Sequence, residues 1–316
     1  MKKKIVVIGG GNGSAISAQA VKKNLKLYDI DVVVAISDSG GSTGALRKEF
    51  NVIPPGDIMR AALALSEYDY TMLKEIFYQI RFDEVGKLNG HDLGNIFLTL
   101  ASQYSGDFMQ AVRALEQSVK AVGKSYPISL SASDLVAKLS NGETQNTEAE
   151  IDRPKSIEKN MIISVHLEPE VEIYNEAEKA IEHADYIILG PGSLYCSIIA
   201  TLLPKGTKEA ITKSKAKIIF VAGNAYELKG ESGPITLSQS IEKLEEYLPR
   251  KIDVIIYNNA KFNKIQKDRY ALKKWEIIEF DENNLGEYNI VSDDFEKESG
   301  GICKDKLGNI LKKVLI

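Results

Sequence analysis

Short runs of valine and isoleucine recur along the chain, each followed by glycine, asparagine or aspartate and then by a helical pattern. The runs are KIVVI (4–8), DVVVAIS (31–37), ADYIILG (184–190), AKIIFVAG (216–223) and IDVIIYNN (252–259). Runs that are apolar on both faces suit strands covered by helices on both sides. The pattern therefore predicts an α/β protein with a Rossmann-like, doubly wound and mostly parallel sheet.

Two segments interrupt this alternation. Residues 57–122 follow one helical pattern after another, which predicts a helical subdomain. Residues 126–167 alternate apolar and polar positions before Asn141-Gly142, which predicts a β-hairpin excursion. The tract 142–160 has few apolar residues and is expected to form a hairpin tip or loop. We expect residues 1–316 to form one unit, with helices at 14–27, 175–182, 193–203 and 237–248 as well.

Composition narrows the class of protein. The formal net charge is -4 and the pI about 5.7, so the surface offers a nucleic acid no global attraction. The two cysteines, Cys196 and Cys303, are far apart, which excludes a disulfide framework and a zinc motif. No apolar run has the roughly 18 residues of a membrane span. We expect a cytoplasmic protein without nucleic acid, membrane span, haem, flavin or zinc.

The segments that follow the predicted strands are rich in glycine and amide residues. The carboxyl ends of parallel strands meet at one edge, where ligands of open α/β sheets bind. Glycine allows close approach of the backbone, and a following helix adds its positive end, so these loops suit an anionic, phosphorylated ligand. The alternative, which the set of five loops makes less favoured, is that the glycines only form tight strand-to-helix turns. The candidate nucleotide-binding residues are Gly10, Gly11, Asn12, Gly13, Ser39, Gly40, Gly41, Ser42, Gly190, Pro191, Gly192, Ser193 and Asn224.

The first of these loops is not a standard dinucleotide turn. Gly9 and Gly11 match the G-x-G-x-x-G pattern, but Ser14 stands where glycine or alanine is expected. A P-loop sequence is absent. An NAD-dependent oxidoreductase is therefore the weakest of the functional hypotheses.

Several polar residues are candidates for chemistry at the same edge. Asp38 could bind magnesium or orient an attacking hydroxyl, or it could only form a turn. Asp57 lies at a helix start, where capping is an equal alternative to ligand contact. Arg47 and Arg60 could bind phosphates or pair with neighbouring carboxylates. His91 and Asn95 lie four residues apart on one helix face and could contact a substrate together.

Several of these stretches together resemble one family. They are VVIGGGNGS, SDSGGSTGALR, IPPGDIMRAALALS, GHDLGNIFLTLAS, GDFMQAV, ADYIILGPGSLYCSIIATLLPKG and VAGNAYELKGES, in family order from about residue 4 to 260. The chain resembles the 2-phospho-L-lactate transferase superfamily (CofD/YvcK-like), and within it the bacterial gluconeogenesis factor branch.

This resemblance implies a Rossmann-like core that binds a nucleoside diphosphate. In the transferase branch, a phospholactyl group passes from guanosine diphosphate to a deazaflavin hydroxyl with magnesium. In the bacterial branch the implied ligand is a UDP-sugar such as UDP-N-acetylglucosamine, linked to carbon metabolism and cell shape. The loop after the fourth predicted strand implies nucleotide contacts from Tyr226, Gly230 and Glu231. This chain has Ser39 where the family usually has a second aspartate.

Two hypotheses follow. The first is a regulatory protein that binds a nucleotide sugar, whose occupancy biases a conformation or a partner contact. The expected partners are a second copy in a homo-oligomer and an unidentified regulatory protein. The second is a magnesium-dependent transferase of the 2-phospho-L-lactate transferase type, with Asp38 as the catalytic and metal-binding residue. The bacterial motifs and the missing second aspartate favour the first.

Overall fold

Twelve strands occur in the part of the chain that the structure describes. The structure is a computed structural model, and it describes residues 2–84, 86–155 and 160–315. The strands are β1 Lys3–Gly9, β2 Tyr28–Val34, β3 Lys124–Pro127, β4 Asp134–Leu139, β5 Thr144–Gln145, β6 Ile162–Glu168, β7 Tyr186–Leu189, β8 Lys217–Val221, β9 Ala225–Glu227, β10 Val254–Asn258, β11 Trp275–Ile277 and β12 Ile290–Asp293.

Seven of these strands form a parallel central sheet in the order β12-β10-β8-β7-β1-β2-β3. The chain runs from β1 outward to β3, then returns to β7 beside β1 and continues to the other edge. This reversal is that of a doubly wound fold, which confirms the predicted fold class. All five predicted strands are present. The edge strands β3 and β12 were not predicted, because four residues give too short a pattern.

Helices connect the strands and cover the sheet. They are α1 Gly11–Lys22, α2 Gly41–Phe50, α3 Pro55–Ala64, α4 Tyr70–Lys74, α5 Leu93–Ser105, α6 Phe108–Ser118, α7 Glu148–Asp152, α8 Asn175–Glu182, α9 Ala200–Leu202, α10 Thr207–Lys213, α11 Leu237–Glu245, α12 Lys264–Lys273 and α13 Lys304–Val314. None of the helices in the described ranges is long and apolar enough to cross a membrane.

The predicted helical segment contains α3 to α6. The aspartates Asp69, Asp92 and Asp107 each precede a helix and accept a hydrogen bond from a backbone N–H of its first turn. Such caps satisfy donors that the helix itself leaves unpaired. They explain where three of these helices begin. A π-helix, Glu75–Gln79, continues α4.

The structure has the predicted turn at Asn141-Gly142, but the sequence did not predict the main partner of the strand before it. Gly142 has φ +88, and β4 pairs antiparallel with β5 across the turn. The longer partner of β4 is β6, which lies beyond the polar tract. Within that tract the structure has the short helix α7 where we expected a loop. Residues 156–159 of the tract lie outside the described residues.

The segment after β7 also differs from its prediction. A helix was expected over 193–203, whereas a π-helix occupies Leu194–Ile199 before α9. The strands β9 and β11 form a small antiparallel pair that was not predicted. The expectation that residues 1–316 form a single unit stays a prediction.

Candidate functional site

A cavity of about 510 Å³, here called the main cavity, lies at the carboxyl edge of the sheet. It lies beyond β1 and β2 at the position where the chain reverses between β1 and β7. Eight predicted site residues line it: Gly11, Asp38, Gly40, Gly41, Ser42, Asp57, Arg60 and Asn95. The structure therefore brings residues from four separate sequence segments to one cavity.

Glycines of the first loop allow other segments to pack against it. A Cβ at Gly10 would lie 2.4 Å from Asp57 Oδ2, and a Cβ at Gly13 would lie 1.9 Å from the carbonyl oxygen of Pro191. A side chain at Gly13 would require the backbone at Pro191 to move, so these two residues pack the loop after β1 against the loop after β7. Gly10 packs the first loop against the Asp57 carboxylate at the start of α3, and Gly190 lies against Ile198 and the end of β8. Asn12 is the acceptor of a long, 3.4 Å hydrogen bond from the Tyr78 hydroxyl.

The second glycine loop presents a helix start to the main cavity. Asp38 Oδ1 accepts a hydrogen bond from the Gly40 N–H at 3.0 Å, which forms a turn directly before α2. Gly40 is the N-cap of α2, and it provides no side-chain cap. Gly41 has φ +46, a conformation that favours glycine. The positive end of the α2 dipole therefore opens into the cavity between Gly41 and Ser42.

Asp57 and Arg60 form an ion pair in the cavity wall. Asp57 Oδ1 lies 2.8 Å from Arg60 Nη1, and Asp57 is only 8% exposed. Its carboxylate also accepts a hydrogen bond from the Gly11 N–H. Burial raises the pKa of Asp57, while Arg60 opposes that change. Arg60 Nε is buried without a hydrogen-bond partner.

Asn95 is the centre of a buried polar cluster. Its Nδ2 donates to Asp92 Oδ2 at 3.0 Å and to Ser42 Oγ at 3.2 Å. Its Oδ1 is buried without a hydrogen-bond partner. His91 Nδ1 lies 2.8 Å from the same Ser42 hydroxyl and is outside the cavity lining. His91 thus reaches the main cavity only through Ser42.

The helix α7 adds residues that sequence analysis missed. The Ser39 N–H donates to Glu148 Oε2 at 3.3 Å, and the Ala149 N–H donates to Ser39 Oγ at 3.0 Å. These two bonds hold α7 against the second glycine loop. Burial and the nearby Asp38 charge raise the pKa of Glu148 to about 8. The cavity residues that were not predicted are Thr43, Arg81, Glu148, Ala149, Asp152, Arg153, Cys196 and Ser197.

Arg47 pairs with a neighbouring carboxylate, which was one of its two predicted roles; the other was binding a phosphate. Its Nη1 lies 2.7 Å from Asp134 Oδ1, and its side chain is 12% exposed. Arg47 is outside the lining of the main cavity. It links α2 to β4 and thereby positions the antiparallel sheet.

A second cavity of about 220 Å³ adjoins the main one and shares Asp152 with it. Gly192, Ser193, Tyr226, Gly230 and Glu231 line this second cavity. Here the Glu231 carboxylate accepts hydrogen bonds from the Ser193 hydroxyl at 2.7 Å and from the N–H groups of 194, 195 and 196. The helix start that we predicted as a phosphate site therefore holds a carboxylate of the chain itself.

Asn224 faces a different part of the fold. Its Nδ2 donates to Glu296, which also accepts from Asn258 Nδ2 at 2.8 Å and from the Tyr270 hydroxyl at 3.1 Å. Glu296 is 1% exposed. Asn224 thus ties the end of β8 to the chain beyond β12, and it lines a third cavity, away from the main one.

The carboxylates of the main cavity could hold magnesium only together with phosphate oxygens of a ligand. Among residues 2–84, 86–155 and 160–315, no group of three or more His, Cys, Asp or Glu is placed to hold a metal ion. Magnesium in nucleotide sites is usually held by one or two carboxylates plus phosphate oxygens. Asp38 and Asp57 line the same cavity and fit that role once a phosphate is bound.

Comparison with known proteins identifies the family. The family model described as 2-phospho-L-lactate transferase CofD matches residues 5–295. The chain belongs to this family. A protein of Thermotoga maritima named "Putative gluconeogenesis factor" is 37% identical over 89% of this chain and 87% of its own length. The "Gluconeogenesis factor" of Bacillus subtilis is 33% identical over 90% of this chain and 87% of its own length.

A solved structure of a family relative has the same fold. The crystal structure of a protein from Bacillus halodurans superposes with a TM-score of 0.90, at 30% identity, and covers 100% of both chains. The family match and the names of the relatives confirm the predicted family and its gluconeogenesis factor branch. The elements that form the main cavity belong to this shared fold.

Proposed function

We propose that this CofD-family chain binds a nucleotide sugar of the UDP-N-acetylglucosamine type in the main cavity and acts as a regulatory protein. In this proposal the ligand stays intact, and its occupancy links sugar nucleotide supply to carbon metabolism and cell shape. The gluconeogenesis factor names of its relatives agree with a metabolic role.

One observation carries the proposal. The N-terminus of α2, ten residues long and without a side-chain cap, opens into a cavity that Arg60 and Arg81 also line. Helix N-termini and arginines both favour phosphate oxygens. The cavity volume of about 510 Å³ lies in the range of small-molecule sites. These features support a diphosphate at the α2 start.

The test is calorimetric titration with UDP-N-acetylglucosamine, GDP and NAD, each with and without magnesium, and mass spectrometry of the recovered ligand. We expect magnesium-independent binding of the UDP-sugar and recovery of the intact molecule. Arg81→Gln should weaken binding, whereas Arg250→Gln, in an exposed pair with Asp253, should not. If the protein binds none of these three nucleotides, the proposal is contradicted.

A second candidate is a magnesium-dependent transferase of the 2-phospho-L-lactate transferase type. The two carboxylates Asp38 and Asp57 in the main cavity favour it, because a magnesium ion between them and a diphosphate would stabilise charge at the transferred group. Recovery of a cleaved ligand that requires magnesium, lost in Asp38→Asn, would establish this function instead.

A further inference from the structure

The pair formed by His91 and Ser42 lies beside the main cavity, and the proposed function gives it no role. His91 Nδ1 is 2.8 Å from Ser42 Oγ, and the protonation of the imidazole decides which of the two atoms donates. Ser42 lines the cavity at the second residue of α2, where the diphosphate is proposed to bind, whereas His91 is outside the lining. His91 can therefore act on a ligand only through Ser42 or through its charge.

The neighbours of Ser42 restrict what its hydroxyl can do. A serine hydroxyl has one proton to donate and two lone pairs that accept. Asn95 Nδ2 donates to Ser42 Oγ at 3.2 Å and to Asp92 Oδ2 at 3.0 Å. Because the Asp92 carboxylate accepts, it orients the Asn95 NH₂ group, and Ser42 keeps one lone pair and its proton. One of these two goes to His91, and the other remains for a ligand in the cavity.

The protonation of His91 decides which one remains. When Nδ1 carries no proton it can only accept, so Ser42 donates to His91 and offers a lone pair to the cavity. When Nδ1 carries a proton, Ser42 accepts from His91 and its O–H is free to donate. A phosphate oxygen of a nucleotide diphosphate diester only accepts. It can therefore form a hydrogen bond with the Ser42 hydroxyl in the second arrangement alone.

We propose that His91 is a positioning residue, whose protonation makes the Ser42 hydroxyl a donor for the phosphate groups of the ligand. This inference rests on the proposed function and specifies how binding at that site is regulated. Histidine is the side chain whose charge ordinarily changes between pH 5 and 8. Binding and protonation are linked reciprocally, so a bound ligand also favours protonated His91. Ligand affinity should thus rise as the pH falls through this range.

Other charged groups near the pair also respond to pH. They are Asp38 before α2, Asp57 and Arg60 on α3, Arg81 and Asp92 between the π-helix and α5, and Glu148 on α7. Burial raises the pKa of Asp57, of Asp92 and of Glu148, the last to about 8. Acidification therefore removes negative charge here as well, which also strengthens the binding of an anion. The experiment has to separate this contribution from that of His91.

The experiment measures the Kd of UDP-N-acetylglucosamine by calorimetry at pH 5.5 and pH 8.0, on the full chain in EDTA. Both phosphates of this probe are esterified, which removes the ionisation near pH 6 that a terminal phosphate has. We expect tighter binding at pH 5.5. His91→Asn keeps an amide near the position of Nδ1 and removes the ionisable ring, and Ser42→Ala removes the hydroxyl. Each should reduce the gain in affinity by roughly three- to tenfold, the effect of one hydrogen bond, and the double variant should reduce it no further.

His183→Asn is the matched control. His183 Nδ1 also has a hydrogen bond within the chain, which it donates to the Lys179 carbonyl oxygen at 2.7 Å, and His183 is outside the lining of the main cavity. This variant should keep the full pH effect. Circular dichroism at both pH values shows whether each variant is folded.

A second measurement needs no variant at the pair. In ¹⁵N NMR of the wild-type histidine rings at pH 7, saturation with UDP-N-acetylglucosamine should shift the His91 signals towards the protonated form. Unchanged His91 signals overturn the inference.

The calorimetric outcomes are equally distinct. A full pH effect in Ser42→Ala means that His91 acts through its charge alone, and a full pH effect in His91→Asn means that the carboxylates cause it. Either result overturns the inference and leaves nucleotide binding intact. Failure of the wild-type protein to bind the probe at both pH values overturns the proposed function itself.

Discussion

At the scale of single residues, close contacts join the glycine loops that lie beside the main cavity. The glycine loops were predicted from sequence, because glycine after a strand is a local signal. The partners of those loops were not. Ser193 and Glu231 were both predicted as nucleotide contacts, and the structure shows them bonded to each other. Nothing local in the sequence indicates such a pairing across 38 residues.

Gly13 offers a direct test of the close packing. Gly13→Ala should lower the free energy of unfolding by about 1–3 kcal/mol, because the new Cβ would lie 1.9 Å from the Pro191 carbonyl oxygen. Urea denaturation measures the change. Gly286→Ala is the control, since a Cβ there meets no atom within 4 Å. Equal stability of the two variants would contradict the packing role.

The Glu231 carboxylate can be tested in the same way. Burial raises its pKa, and the four hydrogen bonds that it accepts oppose that shift. Glu231→Gln should cost about 1–3 kcal/mol, because the amide NH₂ replaces an acceptor that faces backbone N–H donors. Chemical denaturation monitored by circular dichroism gives the value. Glu227→Gln, whose exposed side chain accepts from Trp275 Nε1, should change stability by much less.

At the scale of elements, the long apolar strands were predicted and the short polar helix α7 was not. Periodicity reveals an element that buries one face along its length, and α7 buries only Ile151. Its position depends on Ser39, which lies 109 residues before Glu148. For this reason Glu148 and Asp152 were missed, although they line the same cavity as the predicted Asp38.

The pKa of Glu148 predicts how α7 responds to pH. A pKa raised from 4.5 to about 8 means that the folded state favours the protonated carboxyl, so ionisation removes stability as the pH rises through this interval. Glu148→Gln should therefore be more stable than wild type at pH 8–9 and no more stable at pH 4. Thermal melts across this range test the sign. Glu150→Gln, on the same helix with an exposed side chain, is the control and should follow the wild-type profile.

At the scale of the whole molecule, the repeated pattern of a buried strand followed by a polar loop explains why the fold was easier to predict than the site. Five buried strands, each followed by glycine or amide residues, suffice to indicate a doubly wound sheet. The site also requires the antiparallel sheet, α3 and α5, whose relative placement depends on tertiary contacts such as Arg47 with Asp134.

Ligand binding should stabilise the entire chain. At 100 times its Kd, a ligand of the folded state adds about 2.7 kcal/mol to the free energy of unfolding. We expect UDP-N-acetylglucosamine to raise the Tm by several degrees, and NAD to leave it unchanged. Differential scanning calorimetry measures both. A comparable shift with NAD would instead support the oxidoreductase hypothesis.

The pairing of β1 with β7 also has a kinetic consequence. It aligns residues 5–8 with residues 186–189, so the first and third glycine loops meet only after a very long stretch of chain has closed. Contacts of such large sequence separation form slowly. During refolding, helical signal in circular dichroism should return before the ability to bind UDP-N-acetylglucosamine. The crevice that we propose binds the nucleotide sugar is thus expected to be among the last features that the folding chain acquires.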